Sequence, residues 1–513
     1  MKMKLNQSKL KLILLCALSV SALNVFADNK IITSSTIETG ASYNDSDPNL
    51  AALNVTTNGV TYSGTNITLS ATNNSDDLNA IGNGAYIDNA ILSLTGGSIT
   101  TSGSYGYAVS LLNASSGTLN NVTVQTTGVR GYGVFAGIDS ILTMNGGSIT
   151  TYATDARGAI RLDASSATVN DVNITTHGAS QAAGIYMLHS ALTLTGGTIY
   201  TTGTTGVGVQ VGETSSATVN DVNIQTEGQN SYGFNVITSS TLTLDSGTIS
   251  TTGTAGHGLA SSGTSTSTLS NVNIQTQGER AHGVSMGSSS TLTLTDSDIR
   301  VTGSASHGLF VSGTGTITAD LNGNTLSSTG TNGYSIFAGD FGTVTVTGSN
   351  GSVITGVVRS QTSGTVAITL NGAGTEMHGN FSQNGADSVI TLTIGADALF
   401  EGGGSLDNLT MQDGAILGFT NTLLVADTIS IGDNITIDFS SLTETGDYQV
   451  LNWTGAIITG GSISEDQFNI AGEGIEGTFS VANNQLTFNA TAVPEPSTWF
   501  LIGAGLGALA LIR

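Results

Sequence analysis

The chain of 513 residues has little of the two residue types that most constrain a backbone, with one cysteine, Cys16, and three prolines. A lone cysteine forms neither an intrachain disulfide nor a cysteine-based metal site. No proline lies between Pro48 and Pro494, where it would remove a hydrogen-bond donor from any paired strand. Stability must therefore come from packing and backbone pairing.

Positive charge is also scarce, with 12 Lys and Arg against 36 Asp and Glu and a formal net charge of −24. Four of these cations, Lys2, Lys4, Lys9 and Lys11, lie at the N-terminus, so residues 28–513 are more acidic still. This charge balance argues against nucleic acid and anionic lipid as partners, because both need clustered cations. The 69 glycines are compatible with disorder, but 38% of the residues are apolar, which favours a packed fold.

The chain instead contains a repeat of fifty residues that divides into two related halves of twenty-five. The first half recurs as ILSLTGGSITTSG from Ile91, ILTMNGGSITTYA from Ile141, ALTLTGGTIYTTG from Ala191, TLTLDSGTISTTG from Thr241 and TLTLTDSDIRVTG from Thr291. The second recurs as ATVNDVNITTHG from Ala167, ATVNDVNIQTEG from Ala217 and STLSNVNIQTQG from Ser267. An apolar column keeps this spacing throughout: Ile99, Val124, Ile149, Ile174, Ile199, Ile224, Ile249, Ile274 and Ile299.

Each unit contains about three short runs of alternating apolar and polar residues, separated by glycine-rich corners. One face of each run can be buried, and stacked units build a continuous core. We therefore predict an all-β fold, a parallel β-helix of three-strand coils about 4.8 Å apart. Two glycine columns are expected to supply positive φ at the corners. They are Gly103, Gly128, Gly178, Gly203, Gly228, Gly253, Gly278 and Gly303, and Gly208, Gly233, Gly258, Gly283, Gly308 and Gly333.

The repeated S-T-L-T-L, T-T-G and G-x-G-V pieces resemble the right-handed parallel β-helix passengers of autotransporter adhesins, over residues 65–340. We do not expect a translocating barrel, which needs ~8 or more strands of ~10 residues with aromatic girdles. Residues 28–64 are expected to cap the N-terminal end. Residues 341–492 are expected to form a less regular β-solenoid and a terminal β cap containing Trp453, or alternatively a separate globular domain.

The last residues, VPEPSTWFLIGAGLGALALIR, resemble the PEP-CTERM sorting signal of Gram-negative bacteria. The resemblance implies a recognition box of Val493, Pro494, Glu495, Pro496 and Ser497, and processing by an exosortase. It also implies a membrane segment, expected as a short helix, that includes Trp499, Phe500, Leu501, Ile502, Leu506, Leu509, Leu511 and Ile512. Arg513 would be the basic stop. This apolar run is shorter than the ~17 to 25 residues of a usual spanning helix, so we expect transient membrane residence. The alternative is a buried core helix.

The N-terminus has the features of a secretory signal peptide over residues 1–27. Its lysines form a basic region, residues 12–20 an apolar core, and Val25 and Ala27 flank Phe26 in a small-residue cleavage site. Cys16 lies inside this apolar core. The mature chain is expected to begin near Asp28.

Three histidines, His257, His282 and His307, follow the spacing of twenty-five. Gly256-His257-Gly258 matches a short motif of polygalacturonases, but the carboxylates that such sites need are absent from this region. We expect a solvated ladder at a corner rather than a catalytic or metal site, and no cofactor. The same column reads Tyr107, Tyr132, Arg157, Ala182, Val207, Tyr232, His257, His282, His307 and Asn332.

Two further columns have structural interpretations. Asp171 and Asp221 are expected to be turn residues. An outward threonine lattice of the kind that binds ice is not expected, because the column beside the apolar ladder is mixed. It reads Thr100, Gln125, Thr150, Thr175, Tyr200, Gln225, Ser250, Gln275 and Arg300.

Three function classes fit these observations. The first is an exported, non-enzymatic surface or extracellular-matrix protein that exosortase sorts, that associates transiently with the inner membrane, and that contacts extracellular polysaccharide. The second is a polysaccharide lyase or hydrolase on the same fold. The third is an adhesin passenger without its barrel.

Overall fold

The computed structural model describes residues 29–46, 50–72, 82–152, 158–420, 422–455 and 463–493. These residues form a parallel β-solenoid of about 16 turns, which confirms the predicted fold class. At a coil spacing of about 4.8 Å the stack is roughly 75 Å long. Helical structure in the described part of the chain is confined to a 3₁₀ helix, Glu465–Gln467.

The strands are numbered in chain order. Residues 30–101 contain β1 (Lys30–Ile32), β2 (Thr36–Thr39), β3 (Ser42–Asp45), β4 (Leu53–Val55), β5 (Thr61–Ala71), β6 (Ala85–Asp88) and β7 (Ile91–Thr101). Residues 109–226 contain β8 (Val109–Leu112), β9 (Ser116–Asn120), β10 (Thr123–Thr126), β11 (Val134–Ala136), β12 (Ile141–Asn145), β13 (Ser148–Thr151), β14 (Ile160–Asp163), β15 (Ser166–Asn170), β16 (Asn173–Thr176), β17 (Ile185–Leu188), β18 (Ala191–Thr195), β19 (Thr198–Thr201), β20 (Val209–Gly212) and β21 (Ser216–Thr226).

The later coils continue this order. Residues 234–355 contain β22 (Phe234–Val236), β23 (Thr241–Thr251), β24 (Leu259–Ser261), β25 (Thr266–Thr276), β26 (Val284–Met286), β27 (Thr291–Thr295), β28 (Asp298–Val301), β29 (His307–Val311), β30 (Thr316–Asn322), β31 (Thr325–Ser328), β32 (Tyr334–Ala338), β33 (Thr343–Ser349) and β34 (Val353–Thr355). Residues 357–492 contain β35 (Val357–Gln361), β36 (Thr365–Leu370), β37 (Glu376–His378), β38 (Phe381–Asn384), β39 (Val389–Ile394), β40 (Leu399–Glu401), β41 (Gly404–Met411), β42 (Ile416–Gly418), β43 (Leu424–Ile431), β44 (Ile435–Asp438), β45 (Gly446–Trp453), β46 (Phe468–Ala471), β47 (Glu476–Ala482) and β48 (Gln485–Ala492).

Parallel pairing between successive coils arranges these strands in three sheets. The first sheet stacks β1, β4, β6, β8, β11, β14, β17, β20, β22, β24, β26, β29, β32, β35 and β38. The second stacks β2, the first halves of β5 and β7, β9, β12, β15, β18, the first halves of β21, β23 and β25, and β27, β30, β33, β36 and β39. The third stacks β3, the second halves of the same long strands, and β10, β13, β16, β19, β28, β31, β34, β37, β40, β42, β44 and β46.

The predicted apolar column runs through the interior of the third sheet. Val124 pairs with Ile99 below it and Ile149 above it, and each member of the column is at most 2% exposed. Beyond Ile299 the column continues through Leu326, Ile354, Met377 and Phe400 although the coils no longer keep one length. The period therefore decays in sequence while the pairing persists in space.

The two ends of the stack differ. At the N-terminal end, β1, β2 and β3 already form a coil that pairs in parallel with β4 and β5. At the other end, β48 pairs antiparallel with both β45 and β47. Trp453 in β45 is buried, and Phe439 stacks on Phe488 with ring centroids 4.0 Å apart. The antiparallel strands therefore pack against the last parallel coils.

The glycine columns do not have the conformation that we expected. The described members of both columns do not have positive φ. Glycine is needed there because neighbouring atoms leave no room for a Cβ. A Cβ on Gly253 would lie 1.8 Å from the carbonyl oxygen of Gly228 in the coil below. A Cβ on Gly233 would lie 2.3 Å from Ile249 and 2.6 Å from the carbonyl oxygen of Gly258. Close approach of adjacent backbones, not a left-handed conformation, excludes side chains there.

Positive φ occurs in other columns, at all three corners of the coils, and one of these columns lies at the corner between the second and third sheets. Asp171 and Asp221 have φ of 53° and 51°, which confirms their role as turn residues, because Asn and Asp tolerate this region better than other non-glycine residues. The full column has φ between 47° and 66°: Asn66, Gly96, Asn121, Gly146, Asp171, Gly196, Asp221, Ser246, Asn271 and Asp296.

Buried hydroxyls hold the other corners, a feature that the sequence reading missed. The Thr226 and Thr251 hydroxyls donate to the carbonyl oxygens of Ser231 and Gly256, at 3.2 and 2.6 Å. Both threonines are fully buried, as are their equivalents in neighbouring coils. A buried polar group costs free energy unless it is bonded, so these bonds make the corners after Thr226 and Thr251 compatible with a dry interior.

We predict that Gly253→Ala destabilises the solenoid by about 1 to 3 kcal/mol, because the new methyl group forces two coils apart. Urea unfolding followed by circular dichroism measures the change. Thr254→Ala, one residue further at an exposed position, is the control and should change the free energy of unfolding by less than about 0.5 kcal/mol. Equal stability of Gly253→Ala and the wild type would contradict the steric explanation.

Candidate binding groove

The outward surface of the first sheet carries two parallel columns of side chains. One lies at the preceding corner and includes Tyr107, Tyr132, Ala183, Val207, Tyr232, His257, His282, His307 and Tyr334. The other lies on the strands and includes Phe135, Arg161, Tyr186, Gln210, Asn235, Ala260, Ser285, Phe310, Phe337 and Arg359. Because equivalent positions stack from coil to coil, large residues in these columns form continuous clusters.

An aromatic cluster lies on the N-terminal side of this surface. Tyr107 stacks on Tyr132 with centroids 4.7 Å apart, and Phe135 packs beside both rings. The Arg161 guanidinium lies 5.3 Å from the Tyr132 centroid and 5.7 Å from that of Tyr186. It donates to the Tyr132 hydroxyl at 2.8 Å and pairs with Asp163 at 2.8 Å, so its charge is satisfied within the protein.

A second cluster lies on the C-terminal side and contains the three histidines. Their rings stack with centroid distances of 4.8 Å between His257 and His282 and 4.6 Å between His282 and His307. Tyr232 stacks below His257 at 5.1 Å, and Phe310 stacks on His282 at 4.5 Å. The histidines are therefore the middle of an aromatic stack.

Backbone hydrogen bonds fix the tautomer of these histidines. The His282 N–H donates to Nδ1 of His257 at 3.0 Å, and the His307 N–H donates to Nδ1 of His282 at 3.0 Å. The Tyr334 N–H donates a hydrogen bond to Nδ1 of His307 at 3.1 Å. Each Nδ1 is thus an acceptor, so the neutral ring carries its proton on Nε2.

Burial lowers the pKa of His257 and His307 to about 4. Burial, reinforced by the two neighbouring histidines, lowers the pKa of His282 to about 2. The expected solvated ladder is therefore wrong, because the rings are largely buried and neutral at pH 7. Asn332 was also wrongly placed in this column. Tyr334 pairs with His307, because the intervening coil is longer than twenty-five residues.

Between the two clusters the corner column contains only the small side chains of Ala183 and Val207, and a groove of about 460 Å³ opens there. Its lining consists of Gln181, Ala183, Tyr186, Thr205, Val207, Gln210, Asn230, Tyr232 and Asn235. Small residues at two successive coils, flanked by tyrosines, create this recess. Sequence reasoning missed it, and the strict spacing of twenty-five wrongly placed Ala182 in the corner column, where the structure has Ala183 because successive coils here are not all of one length.

The groove presents uncharged polar groups between two aromatic rings. The Asn235 side-chain N–H donates to Oε1 of Gln210 at 2.7 Å, which holds two amides of adjacent coils together. Gln210 is only 8% exposed, and its Nε2 has no hydrogen-bond partner within the described part of the chain. A buried amide whose donor faces a recess is suited to a ligand that brings its own acceptor.

The outward surface of the second sheet differs from that of the first sheet because it repeats a single residue type. Its central outward column is threonine from coil to coil, which the sequence reading also missed: Thr118, Thr143, Thr168, Thr193, Thr218, Thr243, Thr268, Thr293, Thr318 and Thr345. The mixed column from Thr100 to Arg300 lies on the third sheet instead. Because the threonine surface repeats while the first sheet varies, the groove is the better candidate for a specific site.

A carboxylate–imidazole cluster lies elsewhere on the third sheet. His378 contacts Glu376 through Nε2 at 2.9 Å and Glu401 through Nδ1 at 2.8 Å. Burial lowers the pKa of His378, but the bonds and charges of both glutamates outweigh it, and the net pKa is raised. Among the described residues no group of three His, Cys, Asp or Glu side chains has the geometry to hold a metal ion. The sequence reading did not identify this cluster.

Most of the residues of the sorting and signal predictions lie outside the described residues. These are Val25, Ala27, Pro494, Glu495, Pro496, Ser497, the membrane segment and Arg513. Val493 is the last described residue and packs against the core. Within the described ranges, no helix is long and apolar enough to cross a membrane.

Comparison with known proteins bears on the tail and on the fold. Residues 492–513 match the PEP-CTERM protein-sorting motif, which implies processing by an exosortase, export and a transient C-terminal membrane anchor before processing. No curated protein matches the chain. A chain of the cryo-EM structure of the Vag8–C1 inhibitor complex is similar in fold, with a TM-score of 0.50 and 17% identity over 87% of this chain and 98% of that chain.

The histidine stack predicts that the solenoid loses stability in mild acid. The folded pKa values lie below 6.5, so the unfolded chain takes up protons first as pH falls, and stability declines from about pH 6.5 towards pH 4. For each histidine the loss at pH 5 is about 2 kcal/mol. His282→Asn keeps an acceptor at the position of Nδ1 but does not titrate, so it should reduce this decline.

Urea unfolding at pH 7 and pH 5 measures the effect. His177→Asn, at an exposed histidine, is the matched control and should leave the decline unchanged. An identical pH dependence in His282→Asn and the wild type would show that the stacked histidines are not the cause.

Proposed function

We propose that the protein is an exported, non-enzymatic rod of the cell surface or extracellular matrix, which exosortase processes at its C-terminus and which contacts polysaccharide. The observation that carries this proposal is the match of residues 492–513 to the PEP-CTERM motif. A basic and apolar N-terminus of the secretory type supports export. The long solenoid and its uncharged groove support a binding role.

The state of the histidines supports a non-enzymatic role. A polygalacturonase-like reaction would require an accessible histidine near clustered carboxylates. In this protein His257 accepts a backbone hydrogen bond through Nδ1, stacks between Tyr232 and His282, and stays neutral at pH 7. These contacts give His257 a packing role.

We expect sorting to depend on the proline box. In the producing bacterium the wild-type protein should be recovered outside the cell in a processed form, with a new C-terminus near residues 493–497 found by mass spectrometry. The double variant Pro494→Ala, Pro496→Ala should remain full length in the membrane fraction. Pro48→Ala is the matched control and should be processed normally. Processing of the double variant at the wild-type site would contradict exosortase recognition of this box.

We expect no turnover of polysaccharide by the purified protein. Incubation with polygalacturonate and with neutral glucans should release neither reducing ends nor unsaturated products above the buffer blank. Turnover that His257→Ala abolishes would favour the lyase or hydrolase alternative. Binding to foreign cells but not to the producer's own polymer would favour the adhesin alternative.

A further inference from the structure

The groove on the first sheet has the dimensions of a short chain of sugars. Tyr186 pairs with Gln210, and Gln210 pairs with Asn235, so Tyr186 and Asn235 lie two coils apart along the rod. Two coils correspond to about 10 Å, which is close to the length of a disaccharide. Tyr232 precedes Asn235 in the same coil, so the two tyrosines stand at opposite ends of the recess.

The chemistry of the lining is that of carbohydrate recognition. Aromatic rings pack on apolar C–H faces and offer a polar tip at the same time, and the faces of a pyranose ring are rich in C–H groups. Side-chain amides donate and accept, as hydroxyls need. Among the described residues, Nε2 of Gln210 has no hydrogen-bond partner, and neither has Oδ1 or the second N–H of the Asn235 side chain.

The charge of the lining selects among sugars. None of the groove-lining residues is charged, whereas the chain as a whole has a net charge of −24. The nearest cation of the aromatic cluster, Arg161, is already paired with Asp163 at 2.8 Å. An acidic sugar would therefore be repelled by the net negative charge of the protein, and the groove-lining residues that the structure describes include no cation to offset that repulsion.

We propose that this groove binds an uncharged oligosaccharide, with a disaccharide unit lying along the rod axis between Tyr186 and Tyr232. Gln210 and Asn235 hydrogen-bond its hydroxyls, and the two tyrosine rings pack against its C–H faces. This inference rests on the proposed function and deepens it, because it names the class of polysaccharide that the rod contacts. The extended shape of the recess leaves both ends of a longer chain free to continue along the first sheet.

Isothermal titration calorimetry of the mature protein tests the proposal. The probes are neutral tetrasaccharides of glucose, mannose and galactose, with tetragalacturonate as the acidic probe of equal length. At least one neutral probe should bind and tetragalacturonate should not. Tyr232→Ala and Gln210→Ala should each weaken that binding by about tenfold or more, as for residues at the centre of a desolvated site.

The third sheet supplies matched controls. Tyr200→Ala and Gln225→Ala remove the same residue types from the outward side of that sheet and should leave the affinity unchanged. Circular dichroism and the urea midpoint of each groove variant separate loss of binding from loss of folding. If Gln210→Ala fails to fold, Asn235→Ala tests whether the same amide pair contributes to binding.

Three outcomes would overturn the proposal: no heat above the buffer blank with any neutral probe, binding of tetragalacturonate in preference to them, or equal binding by the groove variants and the wild type. The proposed function fails separately, through the processing and location of the chain. Tyr232→Ala should be exported and processed like the wild type. A protein that is processed but binds no glycan would contradict only the glycan site, and a protein that binds glycan but is not processed would contradict only the proposed sorting.

Discussion

The structure depends on one constraint, the parallel hydrogen bonding of each coil to the next. Coils held about 4.8 Å apart place the same position of every unit directly above its predecessor. Ile149 therefore contacts Ile174 and Val124, and Gly253 lies so close to Gly228 that a Cβ has no room. A residue that disturbs one coil also disturbs the coils on both sides of it. The sequence therefore repeats the same residue types at the same positions of each coil.

The same spacing suits aromatic rings, whose stacking distance is similar. Rings at equivalent positions stack in the columns of the first sheet, from Tyr107 on Tyr132 to His257 on His282. Function on such a surface arises where a column changes. Two small residues, Ala183 and Val207, interrupt the aromatic columns and leave a recess, and the glycan site that we propose occupies this interruption. The PEP-CTERM tail implies export of the rod, whereas the recess is the place where we propose that the rod binds a glycan.

The predictions from the repeat were accurate where one residue type has one physical role. Isoleucine and valine at a spacing of twenty-five are buried in a parallel stack, and Asp171 and Asp221 occupy left-handed corners. The predictions failed where one residue type can have several physical roles. Glycine was assigned positive φ, but adjacent backbones exclude its side chain instead. Histidine at a corner was expected to be solvated, but neighbouring rings and a backbone N–H bury it.

The sequence alone determined the all-β solenoid, its coil length over the regular region and the PEP-CTERM tail, because each depends on local pattern or on a linear motif. The three-dimensional structure alone decided which columns face outward together, that Tyr334 rather than Asn332 continues the histidine stack, and that Gln210 and Asn235 meet between two tyrosines. These features join residues of different coils and different columns. Their proximity depends on where each corner turns and on each coil's length, which no single unit of twenty-five residues contains.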